Sequence, residues 1–165
     1  MSLLHLNIGS NQDRRQNICS AIEQLENFFV KITISSLFES PAEGFKGNDF
    51  YNIGVNIETQ KKASEVIDIL HLIEDSLGRN RAMPKFSSRI IDLDLVIYDD
   101  IIDEKLNVPR KDILRYAFVL APLLELNPDG IHPEKGISYL ELWEDFQSNK
   151  VFNLNKYNRD KLYNK

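Results

Sequence analysis

Two aspartates stand one residue apart, Asp92 and Asp94, inside the apolar run that extends from Ile90 to Tyr98. Side chains alternate along a strand, so Ile90, Asp92, Asp94, Val96 and Tyr98 are expected on one face and Ile91, Leu93, Leu95 and Ile97 on a core face. Two carboxylates about 7 Å apart on one strand face repel one another and resist desolvation. Divalent cations remove that penalty, because Mg²⁺ takes carboxylate oxygens, waters and substrate phosphates together. Taken alone, the pair reads equally well as two solubilising acids on an edge strand. The preceding segment changes the balance: Arg79, Arg81, Lys85 and Arg89 place four cations and no acid within residues 79–89. Guanidinium groups grip phosphate bidentately, and metal-bound polyphosphate needs both kinds of cation. The two segments together predict a magnesium-dependent handler of nucleoside polyphosphate.

A third segment carries weaker chemistry. Phe50 and Asn52 share a strand face, and Phe118 lies in a later apolar run. Two aromatic faces and an amide would suit a flat heteroaromatic ligand, although an aromatic in a strand is more often core. The familiar phosphate and nucleophile motifs are missing: the chain has no G-x-x-x-x-G-K-[ST], no G-x-G-x-x-G, no nucleophile elbow and no H-E-x-x-H. His5, His71 and His132 have no metal-ligand spacing and read as structural or exposed.

The elements that must position these residues can be read from periodicity. Leu4, Leu6 and Ile8 alternate with polar neighbours and predict a first strand ending at Gly9-Ser10-Asn11. Ser10 or Asn11 is expected to cap a helix with Ile18, Ala21, Ile22 and Leu25 inward. Residues 30–38 read as one strand, 40–49 as a long loop, 50–58 as a strand, Ala63 to Gly78 as an amphipathic helix and 79–89 as a second long loop. After the Asp92–Asp94 strand, a short strand before Pro109, a helix from Asp112 to Leu126 interrupted at Pro122, and a short helix at Tyr139–Phe146 are expected. The order β-α-β-β-α-β predicts an α+β protein, a ferredoxin-like split βαβ sandwich with an antiparallel sheet and helices packed mainly on one face.

Size and charge bound the rest. The chain's 165 residues suit one domain, and 42% hydrophobic with 27% charged residues is ordinary globular usage. A net charge of −5 argues against a nucleic-acid binder. The single Cys19 excludes an internal disulfide and reads as a small packing residue. No apolar run is long enough to cross a bilayer and the N-terminus does not read as a signal peptide, so a cytoplasmic chain without a membrane partner is expected. The domain is read as residues 1–148. Residues 149–165, with five Asn and five Lys/Arg against one acid, read as a frayed or loosely docked tail.

The ordered set Gly9-Ser10-Asn11, Asp49-Phe50-Tyr51-Asn52, Gly78-Arg79-x-Arg81, Arg89-x-x-Asp92-Leu93-Asp94 and Val108-Pro109 closely resembles the 6-hydroxymethyl-7,8-dihydropterin pyrophosphokinases of folate biosynthesis, from residue 3 to about residue 146. The resemblance implies a monomer that moves the β,γ-pyrophosphate of ATP to the pterin's hydroxymethyl group and releases AMP. By the same resemblance, Asp92 and Asp94 would hold two Mg²⁺ ions and act in catalysis with Arg81 and Arg89. Glu74, Arg79, Arg81, Arg89, Lys105, Arg110 and Arg115 would serve ATP, the co-substrate. Ser40, Pro41, Phe50, Asn52 and Phe118 would hold the dihydropterin, with Phe50 and Phe118 sandwiching its ring. The chain departs from the family pattern at Arg110, where His is usual, at Lys85-Phe86, where Arg-Trp is usual, and at Tyr116, where Arg is usual; Arg110 would supply the cation that Tyr116 lacks. Two other readings stay open: a different magnesium-dependent nucleotidyl or phosphoryl transferase, and a homologue that binds pterin or nucleotide with impaired turnover.

Overall fold

The computed structural model describes residues 1–79, 82 and 90–164; Arg81, Lys85, Phe86 and Arg89 lie outside the described residues. The strands are β1 (Ser2–Ser10), β2 (Lys31–Ile34), β3 (Leu37–Ser40), β4 (Phe50–Thr59), β5 (Asp92–Tyr98) and β6 (Asn155–Tyr157). They build one antiparallel sheet in the order β5-β1-β4-β3-β6, with β2 also paired to β4. The helices are α1 (Arg14–Phe28), α2 (Ala63–Ser76), α3 (Ala117–Leu126) and α4 (Tyr139–Asn149).

The alternation of β1 divides the sheet into two faces. Leu4, Leu6 and Ile8 are wholly buried in one core with Ile18, Ile22 and Leu25 of α1 and with Val66, Leu70 and Ile73 of α2. The alternate residues His5 and Asn7 point to the second face, which α3 covers only in part. A Cβ on Gly54 would come within 2.7 Å of Pro122 Cβ and 2.6 Å of His5 Cε1, so a glycine is required where α3 crosses β4. The part of the second face that α3 leaves bare holds the cleft described below.

Several local expectations differ from the structure. The strand read over 30–38 is split, because β2 and β3 pair with β4 in registers one residue apart (Ile34 with Val55, Phe38 with Asn52). Ser35 and Ser36 absorb the extra residue: Ser35 Oγ accepts from the Gly54 amide at 2.8 Å, and the Ser36 amide and hydroxyl both donate to Glu125, at 2.7 and 2.6 Å. In β5 a register shift opposite His5/Leu6 inserts Val96. Strict alternation therefore fails beyond Leu95: Tyr98 packs in the α1/α2 core, while Ile97 joins the α3/α4 cluster. Asp92 and Asp94 precede the shift and keep a common face.

Neither Ser10 nor Asn11 caps α1, which begins after a left-handed Asp13 without a side-chain cap. Ser10 Oγ instead donates to the carbonyls of Ile90 and Gln12, and Asn11 Nδ2 to that of Asn48, so these residues tie the sheet end to its loops. The helix expected from Asp112 breaks at Arg115-Tyr116, not at Pro122: a 3₁₀ turn (Lys111–Leu114) precedes α3, which runs through the proline. A helix-interior Pro costs about 3 kcal/mol. Ala117, Val119, Leu120, Ala121, Pro122 and Leu123 are all buried, and at about 1.5–3 kcal/mol for each larger side chain their burial outweighs it.

The segment after residue 149, read from composition as frayed or loosely docked, supplies β6 against β3 and then a 3₁₀ turn (Arg159–Leu162). Leu162 is 1% exposed and sits in the α1/α2 core, and its carbonyl accepts from Cys19 Sγ and Arg15. Leu162→Ala is therefore expected to cost about 2–4 kcal/mol in urea unfolding. A loss below ~0.5 kcal/mol would mean that this segment does not pack in solution.

Candidate active site

The register of β1 with its two neighbours assembles the site. Gly9 pairs with Asp92 on one side and Asn52 on the other, and the next row places Asp94, Asn7 and Gly54 side by side. Alternation turns all of these toward the second face, which α3 crosses at Gly54 and leaves open over the acids, Asn7, Gly9 and Asn52. A Cβ on Gly9 would approach Asn52 Oδ1 to 2.9 Å, so the glycine keeps the floor open between the acids and Asn52. The resulting cleft has a volume of about 140 Å³ and is lined by both acids, Asn7, Gly9, Ser40, Pro41, Phe50, Asn52, Arg110, Tyr116 and Phe118, among others. A cavity of similar size is known to take one small aromatic molecule, so the cleft suits a flat ring system.

At one end lies a charged network. Glu74, 2% exposed at the end of α2, accepts the Leu93 amide at 3.0 Å and an Arg79 guanidinium hydrogen bond. Arg79 also donates to Asp92 and so bridges Glu74 of α2 to β5. Burial works to lower the pKa of Arg79, but Asp92 and Glu74 outweigh it and hold the guanidinium above its ordinary value. Arg110 is bound by Asp112, with contacts of 3.0 and 2.9 Å, and lies 3.6 Å from Asp94. Burial, then the neighbouring Asp92 charge, pushes Asp94 up to about 8 in spite of Arg110. Asp94 therefore resists ionising, and a further cation would relieve it.

At the other end lie the aromatics. Phe50 meets Phe45 edge-on at 6.3 Å, while Phe118 is stacked on Tyr116 with centroids 5.0 Å apart and planes 13° from parallel. Asn52, 2% exposed, donates to Ser40 Oγ at 3.1 Å, which fixes its amide. Tyr116 thus backs the Phe118 ring where the sequence resemblance led to an expected cation.

The structure brings Ser40, Pro41, Phe50, Asn52, Asp92, Asp94, Arg110 and Phe118 together around the cleft. Glu74 and Arg79 stand behind it as the support of Asp92. Lys105 and Arg115, expected at a nucleotide site, are exposed; Lys105 sits in the 103–108 turn, its amide bonded to Asp103. Neither lines the cleft. Arg81 and Arg89 fall outside the described residues. Sequence reasoning missed Asn7, Glu43, Phe45 and Asp112 as lining residues. For Asn7 a signal existed, since it shares a strand face with Gly9, two residues on; the others come from loops or turns without periodicity.

A divalent cation fits the donor set in one respect and is limited in another. Two carboxylates share a face and one of them resists ionising alone, as a cation pair-site would require. Among the described residues no three Asp, Glu, His or Cys converge, so a cation here would complete its shell with water and substrate oxygens, the habit of Mg²⁺.

The family model for 7,8-dihydro-6-hydroxymethylpterin-pyrophosphokinase matches residues 5–128. The chain is 36% identical over 137 residues to a 2-amino-4-hydroxy-6-hydroxymethyldihydropteridine pyrophosphokinase of Aquifex aeolicus, an alignment covering 81% of this chain and 85% of that one. It is 35% identical over 146 residues to the folic acid synthesis protein fol1 of Pneumocystis carinii, covering 86% of this chain but 20% of the relative. The chain thus spans about a fifth of one relative and most of the other. Among solved structures, an HPPK-DHPS crystal structure from Plasmodium falciparum superposes with a TM-score of 0.69 at 14% identity, covering 90% of this chain and 44% of that one; this likeness speaks for the fold alone.

Proposed function

Because the chain belongs to the 7,8-dihydro-6-hydroxymethylpterin-pyrophosphokinase family, we propose that it transfers pyrophosphate from ATP to the hydroxymethyl group of 6-hydroxymethyl-7,8-dihydropterin and releases AMP. The observation that carries this reading is the joining, in one cleft, of an aromatic slot (Phe50, Phe118, with Asn52 between the strands) to the paired carboxylates of β5.

The residues divide the work. Phe50 and Phe118 offer apolar faces to the pterin ring, and Asn52 and Ser40 offer hydrogen bonds to its polar edge. Asp92, held by Arg79, and Asp94 would hold two Mg²⁺ ions. Mg²⁺, when bound, would neutralise polyphosphate charge and acidify the acceptor hydroxyl. Asp94 takes the hydroxyl proton, the alcohol oxygen bonds to the β-phosphorus, and the α,β-bridging oxygen departs with AMP. Arg110, whose backbone amide donates to the Val96 carbonyl of β5, lies beside Asp94 and supplies positive charge for the polyphosphate, as do Arg81 and Arg89 in the family pattern. Lys105 and Arg115 would meet the nucleotide only if the outer loops moved toward it. Transfer of this kind needs chiefly positioning and charge neutralisation, which such an arrangement provides. The same reading makes the protein a cytoplasmic monomer. Among the described residues no helix is long and apolar enough to cross a membrane.

AMP release from ATP, with Mg²⁺ and 6-hydroxymethyl-7,8-dihydropterin, tests the reading. AMP that appears only with the pterin is the expected result. AMP independent of the pterin, or pyrophosphate release in its place, would overturn it.

A further inference from the structure

We infer that Asn7 is a specificity-determining residue whose carboxamide hydrogen-bonds the hydroxymethyl group of the acceptor; this rests on the reaction proposed above. Asn7 is 6% exposed, and among the described residues its enclosed Oδ1 has no hydrogen-bond partner. The other carboxamides on this face are satisfied: Asn52 by Ser40, and Asn56 by His5, Leu126 and Asn127. Asn7 alone in the row carries an amide that the fold does not use, yet burying an unpaired polar group opposes folding.

Its position supplies the use. Asn7 pairs with Asp94 on one side and Gly54 on the other, and Gly9, two residues along, pairs with Asp92 and Asn52. It therefore lies where the acid end of the cleft joins the aromatic end, with a glycine beside it and a glycine across from it. Asn7 and both acids line the same cleft. The register puts Asn7 beside Asp94, so a ring seated between Phe50 and Phe118 that presents its exocyclic alcohol to Asp94 brings that alcohol within reach of Asn7. Turned to the cleft, the unpaired Oδ1 can accept a hydrogen bond from the alcohol before that proton passes to Asp94.

The test compares binding of 6-hydroxymethyl-7,8-dihydropterin and 6-methyl-7,8-dihydropterin, with Mg²⁺ and a non-hydrolysable ATP analogue present, to the wild-type protein, Asn7→Ala and the near-isosteric Asn7→Leu. Both variants should bind the hydroxymethyl compound about 6–12-fold more weakly, one hydrogen bond's worth, and the 6-methyl compound within about twofold of wild type. Affinity for the ATP analogue should not change. The melting temperature of the ligand-free protein should hold or rise, which a purely structural role would not allow. Equal weakening toward both pterins, or no weakening toward either in the variant that folds, would overturn the inference. Wild-type protein that makes AMP but shows no preference for the hydroxymethyl compound would do the same. Wild-type protein that neither binds a pterin nor makes AMP would instead defeat the proposed function, and this inference with it.

Discussion

Asp94→Ala should slow pterin-dependent AMP formation by at least about 10²–10³-fold, the usual effect of removing a group aimed at transition-state charge. The same change should leave the fold intact. Among the described residues Asp94 is paired with no donor closer than Arg110 at 3.6 Å, and burial together with Asp92 holds its pKa near 8. An acid whose folded pKa lies above its ordinary value of 3.8 binds more protons folded than unfolded. The metal-free protein therefore loses stability as pH rises from about 4 to about 8. Asp94→Asn removes that loss. The side chain keeps 28% of its exposure, so solvent tempers the penalty, and a gain of about 1–2 kcal/mol at pH 8 is expected. In a chain of this length, that is roughly 2–8 °C in melting temperature. A thermal scan in chelator at pH 5 and pH 8, paired with the AMP assay, reads both effects. A variant that retains near wild-type turnover would remove Asp94 from the mechanism. One that melts lower at pH 8 would show that Asp94 stabilises the metal-free strand.

Glu74→Ala carries the largest expected cost in stability, about 3–5 kcal/mol, because it breaks a buried ion pair from one side. Glu74 accepts the Leu93 amide and the Arg79 guanidinium. Without it a buried N–H is orphaned and, among the described residues, Arg79 is left with Asp92 as its carboxylate partner. A fall of roughly 6–20 °C in melting temperature follows. Glu74→Gln keeps an acceptor for the Leu93 amide and should lose about half as much. If Glu74 served only a bound nucleotide, the ligand-free protein would melt within about 2 °C of wild type, and calorimetry without ligand distinguishes the two roles.

Periodicity carried the sheet and the core a long way. Leu4, Leu6 and Ile8, the α1 stripe and the α2 stripe all pack as their spacing predicts, because burial of an apolar face decides those elements locally. It failed where an extra residue enters a strand. The Ser35-Ser36 insertion and the Val96 insertion are invisible to alternation, since each is stabilised by a distant partner, Glu125 or the β1 register. Composition misjudged the last segment for a related reason: its polar residues are many, but one buried leucine and a strand edge dock it.

The site divides along the same line. Residue type and spacing alone marked Asp92 and Asp94 as a metal-suited pair and the neighbouring arginines as an anion site, because those properties belong to a few adjacent side chains. Residue chemistry pointed more weakly to Phe50, Asn52 and Phe118, and the family pattern added Ser40 and Pro41. Neither could say that Arg79 turns back to Glu74 and Asp92, that Tyr116 lies flat on Phe118, or that Lys105 and Arg115 stay outside the cleft. Nor could either show that Asn7 is enclosed beside the acids without a partner among the described residues. Those facts depend on which strands are neighbours and on where α3 crosses the sheet. Cross-strand register is set by contacts between residues 41 to 94 positions apart, so only the folded chain decides which side chains share a cleft.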